Sequence, residues 1–138
     1  MKKFKLDKPR EECGVFGVSN HEDASALVAL GLHALQHRGQ EGCGIVSYDG
    51  KNFHSEKRQG LVGDHFTDKV TIKKLPGRSA IGHNRYSTTG EISLRNIQPF
   101  FADLYGGGVS LAHNGNLTNA IELRNNLVKD GAIFRTTS

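Results

Sequence analysis

The chain has 138 residues, 36% of them hydrophobic and 23% charged, with a formal net charge of +4. That suffices for one domain with a core, and no apolar run approaches the ~20 residues that span a bilayer. Basic residues are scattered rather than set in a stripe interleaved with aromatics, which argues against nucleic-acid binding, and two cysteines, Cys13 and Cys43, make no disulfide scaffold.

Residues 1–12 are polar and charged, with Pro9 near their end, and read as an extended leader. The basic start is followed by no apolar segment, so it fails as a secretory signal, and a cytoplasmic location is expected. "GVFGV" (14–18) reads as a short strand. Asn20 is placed to cap a helix, with Glu22 and Asp23 at its positive end. Val28, Leu32 and Leu35 give that helix a buried stripe to about His37. Asp49-Gly50 marks the turn of a hairpin within residues 44–60. Residues 61–74 are helix or loop, and Pro76-Gly77 is a turn. "SAIGHNRYS" reads as a buried strand with a polar end, "STTGEISLRNIQPF" as loop, and "GVSLAHNGN" as a strand ending in a turn. Leu117, Ala120, Ile121, Leu123 and Leu127 share one face of a helix that Gly131 would terminate, and "AIFRTTS" begins another strand. Hairpins exclude a purely parallel sheet, so the expectation is an α+β layer fold.

Polar clusters recur at the ends of these elements: Cys13, "QHRGQEG", "HNRYSTTGE" and "HNGN". Taken singly, each has an ordinary structural reading. Cys13 reads first as a small buried hydrophobe, Asn114-Gly115 as a turn, Arg38 as a helix-end cation and Arg85 as a partner for a surface carboxylate. His33 and His37 stand at i, i+4, and with Cys43 they outline a weak zinc alternative, although no acidic residue follows the first histidine as in H-E-x-x-H.

In order, "CGVFGV", "GLHALQHRGQEGCGIV", "IGHNRYSTTGE", "NIQPF" and "LAHNGNLTNAIELRNNL" closely resemble the glutaminase domain of the amidophosphoribosyltransferase family, class II glutamine amidotransferases that open purine synthesis. The resemblance runs from Cys13 to Ser138, and "HRGQEG" separates it from hexosamine-forming relatives. It implies the αββα sandwich of the N-terminal nucleophile hydrolases, incomplete in this chain, with residues 1–12 as a propeptide and 13–138 as the first part of the glutaminase domain. It implies Cys13 as the nucleophile, with Asn114 and the backbone N–H of Gly115 as the oxyanion hole. Arg85 and Thr88 would contact glutamine, and Arg38 and Gly39 would belong to the loop that closes on it.

Removing residues 1–12 would free the α-amine of Cys13. Its unperturbed pKa of ~7.7–8 lets it serve as the base that no histidine need supply. The family pattern continues past "TTS" to an aspartate that binds the glutamine amine, so the isolated 138-residue chain is expected to be poorly active or inactive. Phosphoribosyl pyrophosphate would be met through a missing phosphoribosyltransferase domain. Magnesium is expected there, and an iron–sulfur cluster only in the missing C-terminal part, with no cofactor in this segment. The full-length protein is expected to be a homo-oligomer that binds neither nucleic acid nor membrane. The alternatives are the glutaminase half of another class II amidotransferase and a non-catalytic remnant.

Overall fold

The computed structural model describes residues 12–86 and 93–136. Strand β1 (Gly14–Ser19) leads to helix α1 (Ala24–Ala34), which passes into a 3₁₀ turn at Gln36–Arg38. Strands β2 (Gly42–Tyr48) and β3 (Phe53–Gln59) form the expected hairpin. Two short helices, α2 (Val62–His65) and α3 (Lys69–Lys73), precede strand β4 (Ser79–Arg85). After a 3₁₀ turn at Leu94–Asn96 come strands β5 (Phe100–Leu104) and β6 (Gly107–Leu111), then helix α4 (Ala120–Lys129).

The first sheet has the order β1-β4-β2-β3, with every neighbour antiparallel. Its hairpin is fixed locally: Asp49 Oδ1 accepts from the N–H groups of Lys51 and Asn52 at 2.8 and 2.7 Å. The Asn52 bond foremost, then the His54 ring at 2.7 Å and the Lys51 bond, hold the Asp49 carboxyl down at about 2. Helix α1 lies on one face. Its Leu32 and Val28 side chains fill the space over Gly82, where a Cβ would come within 2.6 Å of both. Val28, Leu32, Cys43, Ile45, Val62, Phe66, Leu75 and Ala80 close the core on this side. Burial of apolar surface there, at roughly 25 cal/mol per Å², is the main force holding helix to sheet.

The opposite face carries glycines at a second docking point. A Cβ on Gly42 would stand 2.6 Å from Ile97 Cδ1, and one on Gly44 would collide with the Gln98 carbonyl. Segment 96–98 therefore presses directly onto β2, with Asn96, Ile97 and Gln98 all buried. The hairpin β5–β6 continues from it. It leans on β3 through the Phe53–Phe101 ring pair (centroids 5.0 Å apart) and through Lys57 over the Phe100 ring.

Several expectations are corrected. Asn20 caps no helix. It takes a left-handed φ of 60° and accepts from the Arg78 guanidinium, closing the turn after β1, and α1 starts four residues later. Helix α1 stops at Ala34, short of His37, because the 3₁₀ turn takes over. Strand β5 begins at Phe100, the last residue of the stretch that reads as loop, and runs through 101–104, to which the sequence reading assigns no element. Residues 132–136 form no strand, since no neighbouring strand among the described residues offers them a ladder; Phe134 instead packs its ring against the Arg124 guanidinium at 4.2 Å. The Gly131 stop is as expected. Gly131 has φ 91° and its N–H bonds the Val128 carbonyl, while the Ala132 N–H reaches Leu127, the Schellman arrangement. No side chain of α4 is buried among the described residues.

Candidate active site

Cys13 stands one residue ahead of β1, beyond the Gly14–Asn84 pair that ends the β1–β4 ladder. That position sets its half-buried thiol beside Tyr86, the residue after β4. The Tyr86 N–H donates to Sγ at 3.4 Å, and the thiol faces the Tyr86 carbonyl at 3.5 Å. The backbone carbonyl of Cys13 accepts two side-chain donors from distant parts of the chain: Arg38 Nε at 3.1 Å and Asn114 Nδ2 at 2.7 Å. Arg38 also pairs with Glu12, Nη2 to Oε2 at 3.0 Å. Three of the sequence-predicted site residues thus meet at one peptide group.

Asn114 enters from the loop after β6. Its primary amide carries two N–H donors; one is spent on Cys13, and the pair is held in a fixed plane. Gly115 follows with φ 144°, a conformation L-residues rarely adopt, and this turns the chain sharply beside the His113 ring. Arg85, the last residue of β4, is buried on the face away from α1. Its Nη1 donates to the Asn96 carbonyl at 2.8 Å. Gly39 passes so close to Arg85 that a Cβ there would come within 2.7 Å of the Arg85 carbonyl carbon. The "HRGQEG" loop and the Arg85 strand end are therefore one packed unit, joined further by the Glu41 N–H to the Arg85 carbonyl at 3.2 Å. Thr88 lies outside the described residues.

His83, two residues before Arg85, is fully buried, and neither ring nitrogen makes a hydrogen bond of good geometry. Burial pulls its pKa down to about 4; the nearby His113 backbone offsets part of that, and the Arg85 and His113 charges add to it. The ring is neutral at ordinary pH and brings no charge to the site.

Cys43 is of another kind. It points into the core under α1, fully buried, and loss of solvent pushes its thiol up to about 12. A thiol so reluctant to ionise is a poor nucleophile and a poor ligand. Among the described residues, no three His, Cys, Asp or Glu side chains gather as a metal centre would require.

Two residues within the quoted motifs, Gln36 and Gln98, have no role in the sequence reading. Gln36 accepts from the Val62 N–H at 2.7 Å and donates to the Gly39 carbonyl, so it fixes the start of the Arg38–Gly39 loop to α2. Gln98 accepts from the His113 N–H at 2.6 Å. The Gln36–Val62 and Gln98–His113 bonds have no local sequence signature, since each joins segments 15 or more residues apart.

Comparison with known proteins agrees with this geometry. Residues 13–130 match the family described as class-II glutamine amidotransferases. The chain is 60% identical over 132 residues to an amidophosphoribosyltransferase of Rhizobium etli, covering 96% of this chain and 27% of that protein. It is 52% identical to a chloroplastic amidophosphoribosyltransferase of Vigna aconitifolia, again over 96% of this chain and 27% of that one. Among solved structures it resembles the glutamine phosphoribosylpyrophosphate amidotransferase of Bacillus subtilis complexed with ADP and GMP. That match has a TM-score of 0.81 at 45% identity and covers 90% of this chain and 26% of that one. The chain spans about a quarter of the length of these relatives. The shared fold is that of the N-terminal nucleophile hydrolases, here as an α+β assembly of antiparallel sheets and helices. No described helix is long and apolar enough to cross a membrane.

Proposed function

The chain belongs to the class-II glutamine amidotransferases, and from that premise we propose that it is the glutaminase part of an amidophosphoribosyltransferase, with Cys13 as nucleophile. The observation that carries this is the convergence of Arg38 and Asn114 on the Cys13 carbonyl, at 3.1 and 2.7 Å, from segments 25 and 101 residues away.

Glutamine's side-chain amide would lie between Sγ and the second N–H of Asn114. Sγ attacks the amide carbon while the thiol proton passes to the α-amine of Cys13, which exists once the Glu12–Cys13 bond is cut. The tetrahedral oxyanion is held by Asn114 and the Gly115 N–H; one such donor lowers the barrier by about 3–4 kcal/mol. The C–N bond then breaks, ammonia leaves with the proton from the amine, and a thioester remains. Water hydrolyses it to glutamate. Arg85 holds the glutamine α-carboxylate, a bidentate task suited to guanidinium, Thr88 is a neighbouring substrate contact, and the Arg38–Gly39 loop closes over the substrate. While residues 1–12 remain, the nitrogen of Cys13 is an amide and cannot act as base.

In the whole protein the ammonia is passed to phosphoribosyl pyrophosphate, giving 5-phosphoribosylamine. On this reading magnesium and any iron–sulfur cluster belong to other parts of that protein. The same reading takes the protein to be a cytoplasmic homo-oligomer that engages neither nucleic acid nor membrane.

The test is covalent labelling with a glutamine-mimicking electrophile, followed by peptide mass spectrometry. Modification at Cys13 with a new N-terminus there, abolished in Cys13→Ala, is expected. Labelling elsewhere, or turnover by protein that still begins at Met1, would contradict the mechanism.

A further inference from the structure

Segment 96–98 serves both ends of the site. Its Asn96 carbonyl accepts from the Arg85 guanidinium, and its Gln98 side chain accepts from the backbone N–H of His113, the residue before Asn114. The segment itself is immobilised. Ile97 and Gln98 are pressed against Gly42 and Gly44, where even a methyl group would not fit, and all three residues are buried. The loop that carries Asn114 and Gly115 is exposed. An exposed loop supplies precise donors only if something rigid holds its backbone, and a 1 Å misplacement at such a site costs on the order of 10²-fold in rate.

We infer that Gln98 is a positioning residue for the oxyanion hole: its Oε1 fixes the His113 peptide so that Asn114 and Gly115 present their N–H groups to the reacting carbonyl. This rests on the glutaminase reading above. A neutral amide suits the task. It accepts a hydrogen bond as a backbone carbonyl would. The effect falls on a group that acts only once charge develops, so the chemical step should suffer and ground-state binding should not.

The experiment compares Gln98→Met, which keeps the volume and removes the acceptor, with Gln98→Glu, which keeps an acceptor oxygen. A third variant, Gln98→Asn, keeps the amide but is too short to reach. Each is made in the protein as the cell produces it, and steady-state glutaminase kinetics are measured beside the rate of Cys13 alkylation by iodoacetamide. That alkylation is a displacement with no oxyanion to stabilise.

For Met and Asn, kcat is expected to fall about 10–100-fold, with KM and alkylation rate within about threefold of the parent. Glu should recover most of kcat. A Met or Asn variant with kcat within twofold of the parent would overturn the inference. So would a loss of kcat matched by KM and alkylation, or one equally deep in Glu, because Gln98 would then be holding the fold alone. If Met fails to fold, Asn and Glu carry the comparison. A parent protein that neither turns over glutamine nor is labelled at Cys13 would instead overturn the glutaminase reading itself.

Discussion

Leu32 on α1 and Ile121 on α4 each sit in the apolar stripe of a helix of ten or eleven residues, yet Leu32 is fully buried and Ile121 is 79% exposed. The difference lies in what each helix meets. Helix α1 rests on a sheet whose glycines let it come close, so its stripe closes a core. Helix α4 has its C-terminal cap and the Arg124–Phe134 contact, and none of its side chains is buried among the described residues. Since short helices owe most of their stability to tertiary packing, the two regions should differ sharply in local stability. The candidate site straddles them, with Cys13, Arg38 and Arg85 on the stable side and Asn114 and Gly115 on the other.

The largest effect should come from the first region. Leu32→Ala removes a fully buried side chain from over Gly82. It should lower unfolding free energy by about 3–4 kcal/mol, transfer loss and cavity together, read as a fall in the urea midpoint at constant m-value. A loss below about 1 kcal/mol would mean that α1 and the sheet collapse around the gap, and that their packing is far looser than the glycine contacts imply.

Next in size is a pH effect at His83. The fold accommodates the neutral ring, lowering its pKa to about 4 from the ordinary imidazole value of 6.5. Between those values the unfolded chain binds more protons than the native one, so stability rises with pH across that window. The His83 contribution is full above pH 6.5 and is lost as pH falls toward 4, amounting to about 3 kcal/mol. Urea midpoints measured from pH 7 down to 4.5 should show this slope, and His83→Gln should remove most of it. An unchanged slope would assign the acid sensitivity to carboxylates elsewhere.

Much of this was legible in the sequence where the cause is local. Asp49-Gly50 makes a turn because an aspartate oxygen can bond the next backbone N–H groups, and Gly131 stops α4 because it can adopt positive φ. Cys13, Arg38 and Asn114 stood out through their ordered motifs, and the structure brings them together. Features decided by partners far along the chain were not legible. Strand β5 exists because β6 pairs with it across Tyr105-Gly106, although its own residues, Phe-Phe-Ala-Asp-Leu, show no alternation. Asn20 has the composition of a cap, but Arg78, 58 residues on, draws it into a turn. Gln98 looks like a loop residue until His113 is placed above it.

A smaller effect separates capped from uncapped helix starts within the stable region. Asp68 is the N-cap of α3, accepting from the Val70 N–H at 2.9 Å. Asp68→Ala should cost about 1 kcal/mol, seen as a modest shift in urea midpoint. Because α3 is short and exposed along Val70, a loss several times larger would show that α3 props the Ile72–Leu75 side of the core rather than lying over it.

The smallest effect is the most informative about α4. Ile121 is 79% exposed, so Ile121→Ala removes little buried surface and gains slightly in helix propensity. For this chain by itself the change should stay within about 0.5 kcal/mol, and α4 amides should exchange with solvent long before those of β2 and β4. The same substitution in the whole protein is a sensor for whatever meets Ile121 and Leu127 on α4. A loss of about 2 kcal/mol or more there, with α4 amides newly protected, would show that another surface covers the helix. The contrast between α1 and α4 would then belong to this segment alone, and the loop bearing Asn114 would be braced from both sides.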